Sequence, residues 1–336
     1  MEQKAGISRG TTEETAKSAG RNPFVFIVGC PRSGTTLLQR MIDAHPEVAI
    51  IHETHWIAKW YERRKGVTPE GMVTPKLITR LVEYHRFADW PISREDLERS
   101  AADGEPVSYK DFVTGFFDLY GHKHGKLLVG DKTPGYVRSV STLHKLWPEA
   151  KFVHVIRDGR DVVLSAVDWR KSSNLARRFP TWREDPVTTA ALWWKWFVGL
   201  GREDGGPLGP GLYHEVRYDS LVANPADECA ALCEFLGVPY DDAVVRFAEG
   251  RTVANPAFDA KESWLPVTRG LRNWRSQMPP EDVERFEAAA GDLLDELGYP
   301  RAAPRPSSRT VEKVAGIRRA FTVDLRSQGH RLPEHW

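Results

Sequence analysis

Eight consecutive residues, Gly29-Cys30-Pro31-Arg32-Ser33-Gly34-Thr35-Thr36, combine what the binding of an anion requires. Gly34 lets the backbone approach closely, Ser33, Thr35 and Thr36 offer hydroxyls, and Arg32 adds a fixed positive charge. The loop follows Phe24–Gly29, a continuous apolar run that reads as a strand buried on both faces. It precedes Thr35–His45, whose apolar Leu37, Leu38, Met41 and Ile42 recur at helical spacing. A strand–loop–helix unit points backbone N–H groups and a positive helix end at the bound anion. A turn alone needs Gly and Pro, not a run of anion-competent side chains. A second such place is Arg157-Asp158-Gly159-Arg160-Asp161-Val162-Val163-Leu164-Ser165. Arg157 ends the predicted strand Lys151–Arg157, where open α/β sheets bind ligands, and Ser165 follows one to two turns into a helix from about Gly159 to Arg170. Both reach the same sheet edge. The Arg fork suits bidentate phosphate recognition; the alternative is a capping ion pair with Asp158 or Asp161.

The first loop has nearly the Walker spacing, but Thr35 stands where that motif has the lysine for the β/γ-phosphates. This weakens an ATPase, GTPase or kinase reading. Pro31-Arg32-Ser33-Gly34-Thr35-Thr36 resembles instead the 5′-phosphosulfate loop of sulfotransferases that use 3′-phosphoadenosine 5′-phosphosulfate (PAPS). The continuation Leu37-Leu38-x-x-Met41-Ile42-Asp43-Ala44-His45-Pro46 is similar to the branch of tyrosylprotein and many bacterial sulfotransferases. In that family an Arg and a Ser at the spacing of Arg157 and Ser165 grip the ribose 3′-phosphate. Val216-Arg217-Tyr218-Asp219-Ser220 resembles the strand end whose Tyr lines the nucleotide pocket, although a core role suits Tyr218 nearly as well. Arg269-Gly270-Leu271-Arg272-Asn273-Trp274 loosely resembles the late loop that closes over the 3′-phosphate. Gln277 replaces a Lys of the tyrosylprotein enzymes, and Trp169 replaces an Arg, so the adenosine contacts differ.

The reaction that this resemblance implies is in-line sulfonyl transfer from PAPS to a hydroxyl, releasing PAP, without metal. Such chemistry needs a general base for the acceptor proton and a cationic clamp on the leaving phosphate. Glu53, in Ile51-His52-Glu53-Thr54, matches the family's proposed base, with His52 and His55 as rivals. Arg32 is the clamp, and Lys132, in Gly130-Asp131-Lys132-Thr133-Pro134, resembles the lysine that contacts the transferring group. His52-Glu53-Thr54-His55 is one residue short of the zinc motif His-Glu-x-x-His. The rival functions are a P-loop nucleotide or small-molecule kinase, and a non-catalytic nucleotide-binding protein.

The elements that must hold these residues alternate strand and helix. Further strands are expected at Val48–His52, Lys126–Lys132 and Leu212–Tyr218. Helices are expected at about Pro186–Arg202, Pro225–Leu236, Asp241–Ala248 and Pro280–Leu297. The fold class is therefore α/β: a P-loop-like central parallel sheet flanked by helices. A helical insertion of about residues 56–125 follows the second strand; its Trp56, Trp60 and Trp90 read as core before channel wall. Residues 1–22 read as a disordered leader, 23–300 as the domain, and 301–336 as a basic tail with eight basic and three acidic residues and a weak helix near Val311–Phe321.

The 336 residues allow two domains at about 150 each, or one elaborated domain. With 47 basic and 46 acidic side chains the net charge is +1, which argues against a non-specific nucleic-acid binder. Three cysteines make no disulfide framework; Cys229 and Cys233 share one helix face as small buried hydrophobes. The most apolar later run, Ala190–Leu200, is broken by Lys195 and too short for a bilayer. Cytoplasmic location and a small-molecule or lipid acceptor are favoured, with glycan and peptide hydroxyls open.

Overall fold

The computed structural model describes residues 24–100, 106–168, 172–249, 266–268 and 270–336. The elements run β1 (Val25–Gly29), α1 (Thr35–Asp43), β2 (Val48–His52), α2 (Ile57–Glu62), α3 (Pro75–Val82), α4 (Arg94–Ser100), α5 (Tyr109–His124), β3 (Leu128–Lys132), α6 (Val140–Leu146), β4 (Lys151–Ile156), α7 (Gly159–Val167), α8 (Ser172–Arg178), α9 (Thr181–Glu184), α10 (Pro186–Gly205), β5 (Tyr213–Arg217), α11 (Tyr218–Ala223), α12 (Pro225–Leu236), α13 (Trp274–Gln277), α14 (Pro280–Glu296) and α15 (Ser308–Ser327). The strands form one parallel sheet in the order β2-β3-β1-β4-β5.

β1 alternates its side chains between two apolar layers. Phe26 and Val28 enter the larger core with α5, α10 and α14, while Val25 and Ile27 enter the smaller one with α1 and α12. Burial on both faces explains why the strand is uniformly apolar rather than alternating. The chain leaves β1 toward β2 and β3 on one side and later builds β4 and β5 on the other. The direction of winding therefore switches at β1, which opens a crevice at its carboxyl end. Strand ends lie in register there: His52 pairs with Lys132, and Ile156 with Arg217.

Two expectations from the sequence need correction. Residues 241–248 form a single 3-10 turn, Asp242–Val244, rather than a helix. Asp241 caps it through the Ala243 N–H, and the segment is too short to repay helix nucleation. In the tail the helix is longer than expected, spanning Ser308–Ser327. Ser307 caps Thr310, and Val314, Ile317, Phe321 and Leu325 bury a continuous stripe against the body. The aromatic residues behave as core: Trp56, Trp60, Trp90, Trp193, Trp194 and Trp196 are all buried. Cys229 and Cys233 are buried on one face of α12.

Arg160, absent from the expected site, ties the second anion loop to the C-terminal half. It is fully buried, pairs with Asp158 at 2.8 Å and Glu287 at 2.7 Å, and donates to the Pro300 carbonyl. Its guanidinium lies 3.6 Å from the centroid of the Trp274 ring. Arg160→Ala would leave two buried carboxylates without their partner. Urea unfolding should show a loss of about 3–5 kcal/mol; a loss under about 1 kcal/mol would mean that the cluster is not load-sharing.

Candidate active site

The loop after β1 has the geometry of an anion cradle. Gly34 takes φ 98° at the start of α1, and no side chain caps the helix. The first N–H groups of α1 are thus left for a ligand. Ser33 is buried and its hydroxyl has no partner, while Arg32 sits at φ 79°, a conformation that L residues rarely adopt. Arg32 Nε donates to Ser165 Oγ at 3.0 Å, so the two predicted anion loops meet. Thr35 is buried, and Thr36 Oγ1 accepts from Lys132 Nζ at 3.3 Å.

Tyr218 completes this side. It opens α11 directly after β5 rather than ending the strand, and it is buried. A Cβ on Gly34 would come within 2.3 Å of its ring, so the loop glycine exists to let the tyrosine in. The other side of that contact belongs to Arg157, whose guanidinium carbon lies 4.2 Å from the ring centroid. Arg157 also approaches Asp161 at 3.5 Å, as its structural alternative anticipated, yet its Nε remains buried and unpartnered. A phosphate at this place would satisfy it. Asp161 is held in turn by the backbone N–H of Trp274 at 2.9 Å.

On the other side of β1, Glu53 and Lys132 form a 2.7 Å ion pair. The turn after β2 puts Glu53 at φ 49° and His55 at φ 55°, strained values that swing the Glu53 carboxylate over the end of β3. Two backbone anchors hold the turn: Glu53 N donates to the Lys132 carbonyl, and Thr54 N donates to Asp131 Oδ2. Asp131 is completely buried, and burial pushes its carboxyl up to about 6. His55 Nε2 lies 3.1 Å from Glu53 Oε2, and Arg86 donates to the same oxygen at 3.2 Å. Burial alone would raise the Glu53 carboxyl. The His55 hydrogen bond and the Lys132 charge outweigh it and hold the group well below the usual carboxylate range. Lys132 is wholly buried, and burial lowers its ammonium despite Glu53. His52 turns to Gln39 Oε1 at 3.0 Å; burial and Lys132 push it down to about 3, so it is neutral at ordinary pH.

The structure thus brings together Arg32, Ser33, Gly34, Thr35, Thr36, Arg157, Ser165 and Tyr218 on one side of β1, and Glu53 with Lys132 on the other. The late loop is less convergent. Gly270 and Leu271 are in the described chain, Arg272 pairs with Asp168 at 2.6 Å, and Arg269 lies outside the described residues. Arg86 and Asp131 were missed from sequence. Asp131 could have been suspected as an acid inside a strand; Arg86 carries no local signal, because it comes from the helical insertion.

A parallel sheet with this strand order, an uncapped helix N-terminus after β1 and a buried Lys–carboxylate pair beside it make a crevice chemically suited to an anionic ligand and to proton transfer. Comparison gives the class. The profile described as "Sulfotransferase family" matches residues 23–242, and the chain belongs to that family. The protein-tyrosine sulfotransferase A of Caenorhabditis elegans is 27% identical over 305 residues, 88% of this chain and 72% of that one. Protein-tyrosine sulfotransferase 1 of Danio rerio is 28% identical over 296 residues, 84% and 74% of the two chains. The sulfotransferase domain from the curacin biosynthetic pathway has a similar fold, with TM-score 0.56 at 18% identity, covering 82% of this chain and 98% of that one. The chain is a sulfotransferase enzyme. Among the described residues no helix is long and apolar enough to cross a membrane.

Proposed function

We propose that this enzyme takes the sulfonyl group of PAPS to an acceptor hydroxyl, with Glu53 as the base. The observation that carries the reading is the convergence at β1: the Arg32–Ser165 contact joins two anion loops, and Lys132 spans from Glu53 to Thr36 in the first of them. The residues fit the donor. The unpartnered Ser33 hydroxyl and the open N–H groups of α1 suit its 5′-phosphosulfate, while Arg157 Nε and Ser165 suit its 3′-phosphate. Bound PAPS would supply the activated sulfonyl group and a phosphate as leaving group.

The chain's own residues then have distinct tasks. Glu53 accepts the hydroxyl proton as the acceptor oxygen bonds to sulfur and the bond from sulfur to the phosphate oxygen breaks. Arg32 and Lys132 balance the charge that gathers on the leaving side. In the resting chain the Glu53 lone pairs are taken by Lys132, Arg86 and His55. Drawing Lys132 toward the donor removes one of these donors and raises the basicity of Glu53 when it is needed. The acceptor to assay first is a tyrosyl peptide, since the relatives named above are protein-tyrosine enzymes.

Thermal unfolding with added nucleotide tests the donor. PAP at about 100 times its Kd should stabilise the fold by about 2.7 kcal/mol. Stabilisation by ATP with magnesium and none by PAP would transfer the site to a kinase.

A further inference from the structure

Beyond His55, which bonds Glu53, lies a cavity of about 830 Å³, within the range of roughly 300–1,000 Å³ typical of small-ligand pockets. His55 and Thr133 form its near wall, and the tail residues Gln328–Arg331 close its far side. Five basic side chains line it, Lys59, Arg63, Arg138, Arg178 and Arg331, against one carboxylate, Glu62. Arg331 is neutralised by Glu203 and Asp204. The other four make no ion pair among the described residues.

Two of them stand out by how they are held. Arg138, at the end of the 3-10 turn Pro134–Arg138, stacks 4.8 Å from the Trp196 ring centroid and 4.7 Å from that of Phe197. Its Nε is buried without a partner. Arg178, at the end of α8, lies over the same Trp196 at 5.8 Å, and its Nε is buried and unpartnered too. It donates through the other arm to His330 Nε2 at 2.9 Å. Asp324 is the nearby acid, but it does not reach ion-pair distance of Arg178. The field of these cations is felt by their neighbours. Burial and the Arg178 charge bring Arg138 down to about 9, and burial with Arg138 and Arg178 holds His330 down to about 4. Two guanidiniums over one indole ring, with Glu62 and Asp324 acting on them only from beyond ion-pair distance, make a costly arrangement unless an anion arrives.

We propose that Arg138 and Arg178 form an anion subsite for the acceptor, which therefore carries a carboxylate, phosphate or sulfate group beyond its reacting hydroxyl. The hydroxyl end lies toward Glu53, past His55 and Thr133, and the anionic end lies against Trp196 and the tail. The tail is thereby part of the acceptor site, through His330 and through the Arg331 carbonyl that accepts from Trp196 Nε1 at 2.8 Å. The orientation rests on the sulfonyl-transfer reading; the anion subsite itself does not.

The test is direct binding to the full chain with the donor site saturated by PAP, followed calorimetrically and by tryptophan fluorescence. The probes are 3-(4-hydroxyphenyl)propionate, its uncharged amide, and inorganic phosphate. The carboxylate should bind about tenfold or more tightly than the amide, the scale of one charge-assisted hydrogen bond. In Arg138→Gln and in Arg178→Gln that preference should fall toward unity, with the PAP-induced rise in melting temperature kept. Equal binding of acid and amide to the unaltered protein overturns the proposal, whatever the variants do. Phosphate that binds alone and displaces the carboxylate at equal concentration would show a free-anion site and overturn the acceptor assignment. Absence of PAP stabilisation sinks the donor reading separately, because the probe comparison can be run without PAP.

Discussion

Glu53→Gln is expected to lower kcat by about 10²–10⁴-fold, the usual span for a general base, while the affinity for PAP stays within about threefold. The amide keeps the shape of the carboxylate and can still accept from Lys132, so the donor loops on the other side of β1 are not disturbed. It cannot take the acceptor proton. Single-turnover kinetics with PAPS and calorimetry with PAP separate the two effects. Unchanged turnover would move the role to His52 or His55. Of these, His52 is already committed to Gln39 and held down to about 3. The pH profile offers a second reading of the same group. The Glu53 pKa is depressed in the folded chain, so the stability from its ion pairs is present above the unfolded value of about 4.3 and drains as pH falls below it. The carboxylate is ionised throughout the neutral range, and kcat/KM should show no acid limb above about pH 5 that vanishes in Glu53→Gln.

Gly34→Ala should weaken PAP binding by about 100-fold or more, through the backbone and the tyrosine together. At φ 98° an L side chain is strained, at a cost of about 1–2 kcal/mol. The added Cβ would also lie 2.3 Å and 2.6 Å from two carbons of the Tyr218 ring, which cannot yield without moving from under Arg157. One methyl group therefore reaches both anion loops. Gly209→Ala, before the amino end of β5 and away from the crevice, is the matched control: φ is 78°, but no atom of the described residues lies within 4 Å of the new Cβ. It carries the backbone strain without the collision, and its effect on PAP affinity should stay below about tenfold. Equal losses in the two variants would show that the tyrosine contact is irrelevant to the donor site.

What the residues determine locally was legible before any coordinates. The strand Val25–Gly29, the loop to Thr36 and the helix Thr35–Asp43 are adjacent in the chain, so their apolar run, glycine and hydroxyls announce one another. The same holds for Arg157, Gly159 and Ser165, and for the parallel sheet, since strands buried on both faces lose their polar alternation. The boundaries that moved did so where packing competes with propensity: the tail helix lengthened because its apolar stripe found the body, and residues 241–248 shortened to one turn. Only the tertiary structure decided which partner each charged group meets. Arg86 reaches Glu53 across 33 residues, Ser165 reaches Arg32 across 133, and His330 meets Arg178 across 152. A side chain's type states what it can bind, but its partner and its proton affinity depend on burial and on charges brought close by the fold. The same tail that the sequence shows as a basic segment with a weak helix closes, in three dimensions, the far wall of the cavity that His55 and Thr133 line.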